Sequence, residues 1–148
     1  MKIIVDANIV FSGILNSDGK IGDLLINSKK YFNFIAPEFL RYEIKTKYER
    51  LQSISGLSIE RIIEAEYQVC KEITFISEEQ INPGFWNESL DLVHDIDIKD
   101  VQYVAYAKQF RCKIWSGDKK LFKGLIENGF VNLVTTDDLF AIRTKRIK

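Results

Sequence analysis

The stretch Lys2-Ile3-Ile4-Val5-Asp6-Ala7-Asn8 decides the fold. Three consecutive β-branched apolar residues closed by an acid form the pattern of a strand covered on both faces, since a solvated face would demand alternation with polar residues. Such a strand belongs in a sheet with helices on either side. Outward from it, Asp18-Gly19-Lys20-Ile21-Gly22 reads as a turn. Ile21, Leu24 and Leu25 then recur at helical spacing until Lys29 and Lys30, cations suited to a helix C-terminus. Tyr31 to Ala36 predicts a second strand, with Pro37 at the first turn of a helix running toward Arg50. Gly56 interrupts the pattern, Ser58, Arg61 and Glu64 open an amphipathic stretch through about Glu72, and Ile73 to Ile76 predicts a short edge strand.

From Glu78 to His94, Pro83-Gly84 and the apolar spacing Leu90/Val93 predict a loop or broken helix. A helix apolar nearly all round follows from about Lys99 to Phe110, as suits one buried against a sheet. The rest alternates: a strand at Lys113-Ile114-Trp115, a turn at Gly117-Asp118, a helix over Lys119 to Glu127, a strand over Asn132 to Thr135 and a helix over Thr136 to Ile142. Strands alternating with helices imply parallel pairing and right-handed crossovers. The expectation is an α/β three-layer sandwich, a central parallel sheet flanked by helices, in a single domain over residues 1–148.

The chain of 148 residues, 46% hydrophobic, suffices for one core. Acidic and basic residues balance at 21 each, so attraction to a nucleic acid has to come from local basic patches. The N-terminal apolar run is broken by Asp6 and Asn8, unlike a signal peptide or a membrane span, which predicts a cytoplasmic protein. Cys70 and Cys112 lack metal-ligand spacing and read as buried thiols. His94 is the sole histidine, which excludes sites built on several imidazoles.

The chemistry is carried by acids. In a parallel sheet, ligands bind beyond the carboxyl ends of the strands. Asp6 and Asp118 each follow a strand and so reach the same sheet edge, although each also stands where a helix N-cap belongs. Glu43 lies on the apolar side of its helix, with Phe39, Leu40 and Ile44 as neighbours; a buried carboxylate there needs a metal or a partner, and Lys47 is the local partner available. Asp97 and Asp100 are spaced i, i+3 at a helix start, so either can cap while the other projects, and Asp95 crowds them with a third negative charge. Convergent hard oxygen donors suit Mg²⁺ or Mn²⁺.

Residues 3–15 (IIVDANIVFSGIL), 36–44 (APEFLRYEI), 97–108 (DIKDVQYVAYAK) and 113–122 (KIWSGDKKLF) resemble, in order and spacing, the motifs of PIN-domain nucleases, the group that includes VapC-type toxins. The resemblance spans Lys2 to about Phe122, and the stretch from Leu51 to Leu92 carries little of it. It implies a PIN-like fold and an acidic site of Asp6, Glu43, Asp100 and Asp118 with Asn8 and Ser116 as polar supports. Asp97 looks like the extra acid of a subgroup with a D-x-x-D pair, leaving open which of Asp97 and Asp100 ligates. It further implies metal-dependent hydrolysis of RNA and a VapB-like antitoxin as partner.

An acidic site repels phosphate, and Lys119, Lys120 and Lys123 after Asp118 are the expected counter-charges to RNA. The tail from Arg143 to Lys148 is a second basic run or a solvated terminus. Tyr42, Tyr103, Tyr106, Phe122 and Trp86 stack on bases or pack in the core. Trp86 or Tyr31, if exposed, would allow a homodimer. The alternatives are a catalytically vestigial PIN-like module that binds RNA or protein, and a haloacid-dehalogenase-like phosphatase, which Asn8 disfavours because that class has an acid there.

Overall fold

The computed structural model describes residues 1–93 and 95–147. Its strands β1 (Lys2–Val5), β2 (Asn33–Pro37), β3 (Ile73–Ile76), β4 (Lys113–Trp115) and β5 (Leu133–Val134) form one parallel sheet in the order β3-β2-β1-β4-β5. The opening strand thus lies at the centre, paired with β2 on one side (Ile4 opposite Ile35) and β4 on the other (Val5 opposite Trp115).

Alternate side chains of the strands enter different layers, as the pleat requires. Ile3, Val5, Phe34, Ala36 and Trp115 pack with α1 (Ala7–Leu15), α2 (Lys20–Asn27), α5 (Ile59–Cys70) and α9 (Thr136–Ile147). Ile4, Ile35 and Ile114 face the opposite way, onto α6 (Pro83–Val93), α7 (Val101–Phe110) and α8 (Lys119–Glu127). This is the expected three-layer arrangement. Cys70 and Cys112 are buried free thiols. Among the described residues no helix is long and apolar enough to cross a membrane.

Four local expectations are corrected. The sequence reading assigns no element between Asp6 and Asp18, yet α1 begins directly after Asp6, whose carboxylate caps it. Pro37 closes β2 instead of opening a helix; it lies beyond the last β1 partner of that strand, so its missing N–H removes no bond between them. The helix expected to run toward Arg50 is two, α3 (Phe39–Thr46) and α4 (Tyr48–Ser55), broken at Lys47, while the Thr46 hydroxyl donates back to the Glu43 carbonyl at 2.7 Å. The segment expected as a loop or broken helix contains the continuous α6, with Pro83 at its first position and the Asn82 side chain accepting from Gly84 N–H at 2.8 Å. His94 and Lys148 lie outside the described residues.

Candidate active site

From β1 the chain moves outward to β2 and β3, then returns to place β4 on the other side of β1. The sheet's topological switch therefore lies between β1 and β4. Crossovers leave this point in opposite directions and open a crevice at the carboxyl ends of the strands. Asp6 follows β1 and donates its backbone N–H to the Trp115 carbonyl of β4 at 3.3 Å, while Asp118 stands just past β4. A cavity of about 460 Å³ here is lined by Asp6, Asn8, Glu43, Asp97, Asp100 and Asp118.

Capping and site placement coincide in two of these acids. Asp6 Oδ1 accepts from Ile9 N–H at 3.0 Å at the start of α1, and Asp118 Oδ1 accepts from Leu121 N–H at 3.1 Å at the start of α8. Each cap fixes its carboxylate at a helix N-terminus, where positive backbone dipoles favour negative charge. Ser116, itself buried, connects the pair: its oxygen accepts from Asp118 N–H at 3.0 Å and its hydroxyl bonds Asp6. Asn8 is exposed at the rim.

The Asp97/Asp100 pair divides its roles. Asp97 is exposed and its Oδ1 accepts from Lys99 N–H at 3.0 Å, capping the short 3-10 turn Ile98–Asp100. Asp100 is half-buried and makes no side-chain cap bond at the start of α7. Asp95 is drawn off to Asn128, whose amide donates to it at 3.0 Å. The preceding segment seats closely on α8: a Cβ at Gly124 would stand 2.7 Å from Ile96, so glycine permits the approach.

Glu43 is half-buried on α3 and faces the cavity. The expected alternative, a pair with Lys47, does not form: ion pairs among the described residues join Lys29 to Glu72, Lys108 to Glu88 and Arg143 to Asp23. Instead the break between α3 and α4 brings Lys47 to the cavity wall.

Burial and mutual repulsion raise the proton affinity of two of these acids. Burial pushes the Asp6 carboxyl up to about 6, opposed by bonds from Ser116 and Ile9 and reinforced by the charge of Asp118. Burial also pushes Asp100 up to about 7, and the charges of Asp97, Asp6, Asp118 and Glu43 all add to it. Five carboxylates from separate parts of the chain thus feel one another in one crevice. A divalent cation would relieve this, and the donors are the hard oxygens such a cation takes. Among the described residues, however, no group of three or more acidic, histidine or cysteine side chains forms a ready-made ligand set. The carboxylates share a cavity without closing on a common point.

The cationic surroundings differ from expectation. Lys119 borders a neighbouring groove with Phe122, Thr135 and Thr136, and Lys120 and Lys123 are exposed on α8 outside the acidic cavity. Lys47 and Lys99 line the cavity instead, and the sequence reading did not single them out as counter-charges. The basic tail is partly tied down: Arg143 bonds Asp23 at 2.8 Å and Ser28 at 3.0 Å, and Arg146 donates to the Tyr31 carbonyl at 2.9 Å. Trp86 stands edge-on to Tyr106 and, like Tyr31, is half-buried, so neither is the free surface aromatic expected.

Tyr103 is a further participant. Its hydroxyl accepts from Ala7 N–H at 3.2 Å, directly beside Asp6, and burial with the charges of Asp6 and Glu43 holds the phenol well above its ordinary range. A tyrosine in an apolar helix gives no sequence signal for this. Only the packing of α7 beside β1 reveals it.

A parallel α/β domain with an acidic cleft at its switch point is the class these features define. The chain belongs to the PIN-domain family of nucleases, whose family model matches residues 4–139. Solved structures agree on the fold. A chain of VapBC2 from Rickettsia felis, solved bound to a DNA fragment from their promoter, superposes with a TM-score of 0.70 at 13% identity, covering 91% of this chain and 98% of that one. PAE2754 from Pyrobaculum aerophilum gives 0.68 at 12% identity over 98% of this chain and 90% of that one. No curated protein matched in a direct sequence comparison.

Proposed function

We propose that this chain is a single-domain, divalent-metal-dependent endoribonuclease that hydrolyses phosphodiester bonds of RNA. The observation that carries the reading is the convergence of Asp6, Glu43, Asp100 and Asp118 from four elements on one cavity at the switch point. When bound, Mg²⁺ or Mn²⁺ would supply Lewis-acid activation of water and of the scissile phosphate. Asp6, Asp100 and Asp118 are the proposed ligands. Asp97, exposed where Asp100 is half-buried, adds negative charge beside Asp100 and is assigned the outer position.

Glu43 faces the same cavity, has no ion-pair partner among the described residues, and is the proposed acceptor of the proton from the attacking water. Ser116 and the α1 and α8 termini hold Asp6 and Asp118 in place, and Tyr103 fixes the backbone at Ala7. Lys47 and Lys99 offset the repulsion between the acids and an approaching phosphate, with Lys119 beyond Asp118 along the strand's path. With these residues at the cavity, the earlier assignment of RNA contacts to Lys120 and Lys123 is reduced to a peripheral one.

The likeness to a VapBC2 chain supports a further reading, that the protein is the toxin of a toxin–antitoxin pair with an antitoxin partner. The test is incubation of purified protein and Asp6→Asn with labelled single-stranded RNA of varied sequence, in Mn²⁺ and in EDTA. Cleavage by wild type in Mn²⁺ alone, abolished in the variant, is expected. RNA left intact by both proteins over the whole sequence set would replace the nuclease reading with that of a vestigial binding module.

A further inference from the structure

The acids gather at the carboxyl edge of the sheet, and the opposite edge is basic. The segments that enter β1, β2, β3 and β4 carry Lys2, Lys29 with Lys30, Lys71, and Arg111 with Lys113, all exposed, against one acid, Glu72. Glu72 pairs with Lys29 at 3.7 Å; among the described residues the other five cations have no ion-pair partner. β5, at the margin, is entered by residues 129–132, which carry no charge. In a chain whose 21 basic and 21 acidic residues cancel, this is a segregation of charge and not an excess. The four strands are neighbours in the order β3-β2-β1-β4, so the cations form a row about 15 Å long, three strand spacings of about 4.8 Å.

At the β1/β4 end of the row, a cavity of about 350 Å³ is lined by Lys2, Arg111 and Lys113 with Met1, Phe110 and Cys112, and it shares no residue with the acidic cavity. The Lys2 ammonium stands 5.6 Å from the centre of the Phe110 ring. Arg111 closes α7 with φ 53°, the left-handed conformation that glycine adopts freely and other residues rarely. Gly56, which ends α4 at φ 73°, is the ordinary solution in the same chain. The backbone gives no reason for arginine at this position, whereas a need for a cation at the basic edge does.

We infer that this amino edge is a second RNA-binding site, which holds the phosphate backbone of the substrate away from the acidic cavity. The inference rests on the nuclease reading above and adds a place for the strand outside the reacting centre. Three observations favour RNA as the occupant. The row runs across four strands, which suits a linear polyanion better than a small anion. Lysine is its commonest residue, and lysine is depleted at protein–protein contacts, where buried aromatic and apolar anchors carry the energy. The acids that repel phosphate line a different cavity, so a strand can be attracted here without meeting them.

The test is fluorescence anisotropy of a labelled RNA strand of mixed sequence, in EDTA so that the strand stays intact, over a series of salt concentrations. One variant carries Lys2→Gln, Arg111→Gly and Lys113→Gln. A control neutralises three exposed cations elsewhere, Lys20→Gln, Lys45→Gln and Arg61→Gln, and so has the same net charge. Each phosphate contact on a single strand contributes about 0.7 to the slope of log affinity against log salt. The edge variant should therefore lose roughly 2 from that slope and roughly 10- to 100-fold in affinity at low salt, while the control keeps the wild-type slope. Glycine suits the backbone at Arg111 and the two lysines are exposed, so the edge variant should keep the wild-type thermal midpoint. If it melts lower, the three single variants are measured separately, each with an expected slope change of about 0.7. In Mn²⁺ the edge variant should raise KM for RNA cleavage and leave kcat unchanged.

An edge variant that matches the control in slope and affinity overturns the site. So does a variant that loses self-association at low salt, by sedimentation, with its RNA affinity unchanged; the basic edge would then meet the acidic edge of a second copy. Wild type that binds RNA through this edge and leaves it uncut in Mn²⁺ would remove the nuclease reading and leave the binding site standing. Cleavage of RNA with no change of salt slope in the edge variant would do the reverse.

Discussion

Replacing Asp6 by Asn should make the metal-free protein more stable at neutral pH, although it removes the residue on which activity most depends. Asp6 is 4% exposed, so little solvent screens its charge. Its carboxyl is raised from 3.8 to about 6, chiefly by burial. That rise corresponds to roughly 2–3 kcal/mol held against the charged form in the folded state. The sign follows from the raised value: between 3.8 and about 6 the folded chain keeps a proton that the unfolded chain has lost. Stability is therefore fullest below 3.8, falls as the pH rises through about 6, and is flat beyond.

Asn has the same shape, keeps an oxygen to accept from Ile9 N–H, and caps helices about as well as Asp. The cap survives and only the charge is lost. Urea denaturation in EDTA, followed by circular dichroism, should place Asp6→Asn about 2 kcal/mol above wild type at pH 7.5, with the difference vanishing near pH 3.5. Adding Mn²⁺ at pH 7.5 should raise wild type and leave the variant unmoved. A variant less stable than wild type in EDTA at pH 7.5 would refute the reasoning, since Asp6 would then be a favourable ion in the folded state without any cation.

Tyr103→Phe leaves the Ala7 N–H without its acceptor; a loss of about 1–2 kcal/mol in denaturation midpoint analysis is expected, with weakened Mn²⁺ binding by calorimetry because Asp6 adjoins Ala7. Asp100→Asn should abolish RNA cleavage while Asp97→Asn lowers it by a smaller factor, measured as initial rates in Mn²⁺; equal losses would contradict the division of roles. Arg143→Ala frees α9 from α2 and should cost about 1–2 kcal/mol at pH 7, read by thermal melting. The Arg143 guanidinium holds Asp23 below its ordinary 3.8, so that contribution is present above 3.8 and is lost as the pH falls through the lower folded value.

Elements with strong local signals appear where the sequence reading puts them: β1 from its β-branched run, β4 from Lys113-Ile114-Trp115, α8 from Lys119 to Glu127. The elements that escaped it have a physical reason. In α1 apolar residues occupy nearly every position from Ile9 to Leu15, so the helical period is obscured. Pro37 is compatible with a helix start and with a strand end, and its pairing opposite Ile76 of β3, a long-range fact, is what selects the strand. In α6, Pro83-Gly84 imitates a loop until Asn82 is seen to cap it.

The acids at strand ends were legible because a parallel sheet delivers such residues to one edge whatever the loops do. By itself the sequence determined the layer architecture, the parallel sheet and the presence of Asp6 and Asp118 at its carboxyl edge. Local chemistry could not choose between cap and site residue for these acids, and the structure makes them both at once. Only the tertiary structure decided that β4 lies beside β1 and so opens the crevice at their shared switch point. It also turned Asp100 inward while Asp97 caps, and placed Lys47, Lys99, Phe39 and Tyr103 around the acids. Those outcomes depend on distances between residues more than a hundred positions apart, which packing sets and no local pattern of side chains records.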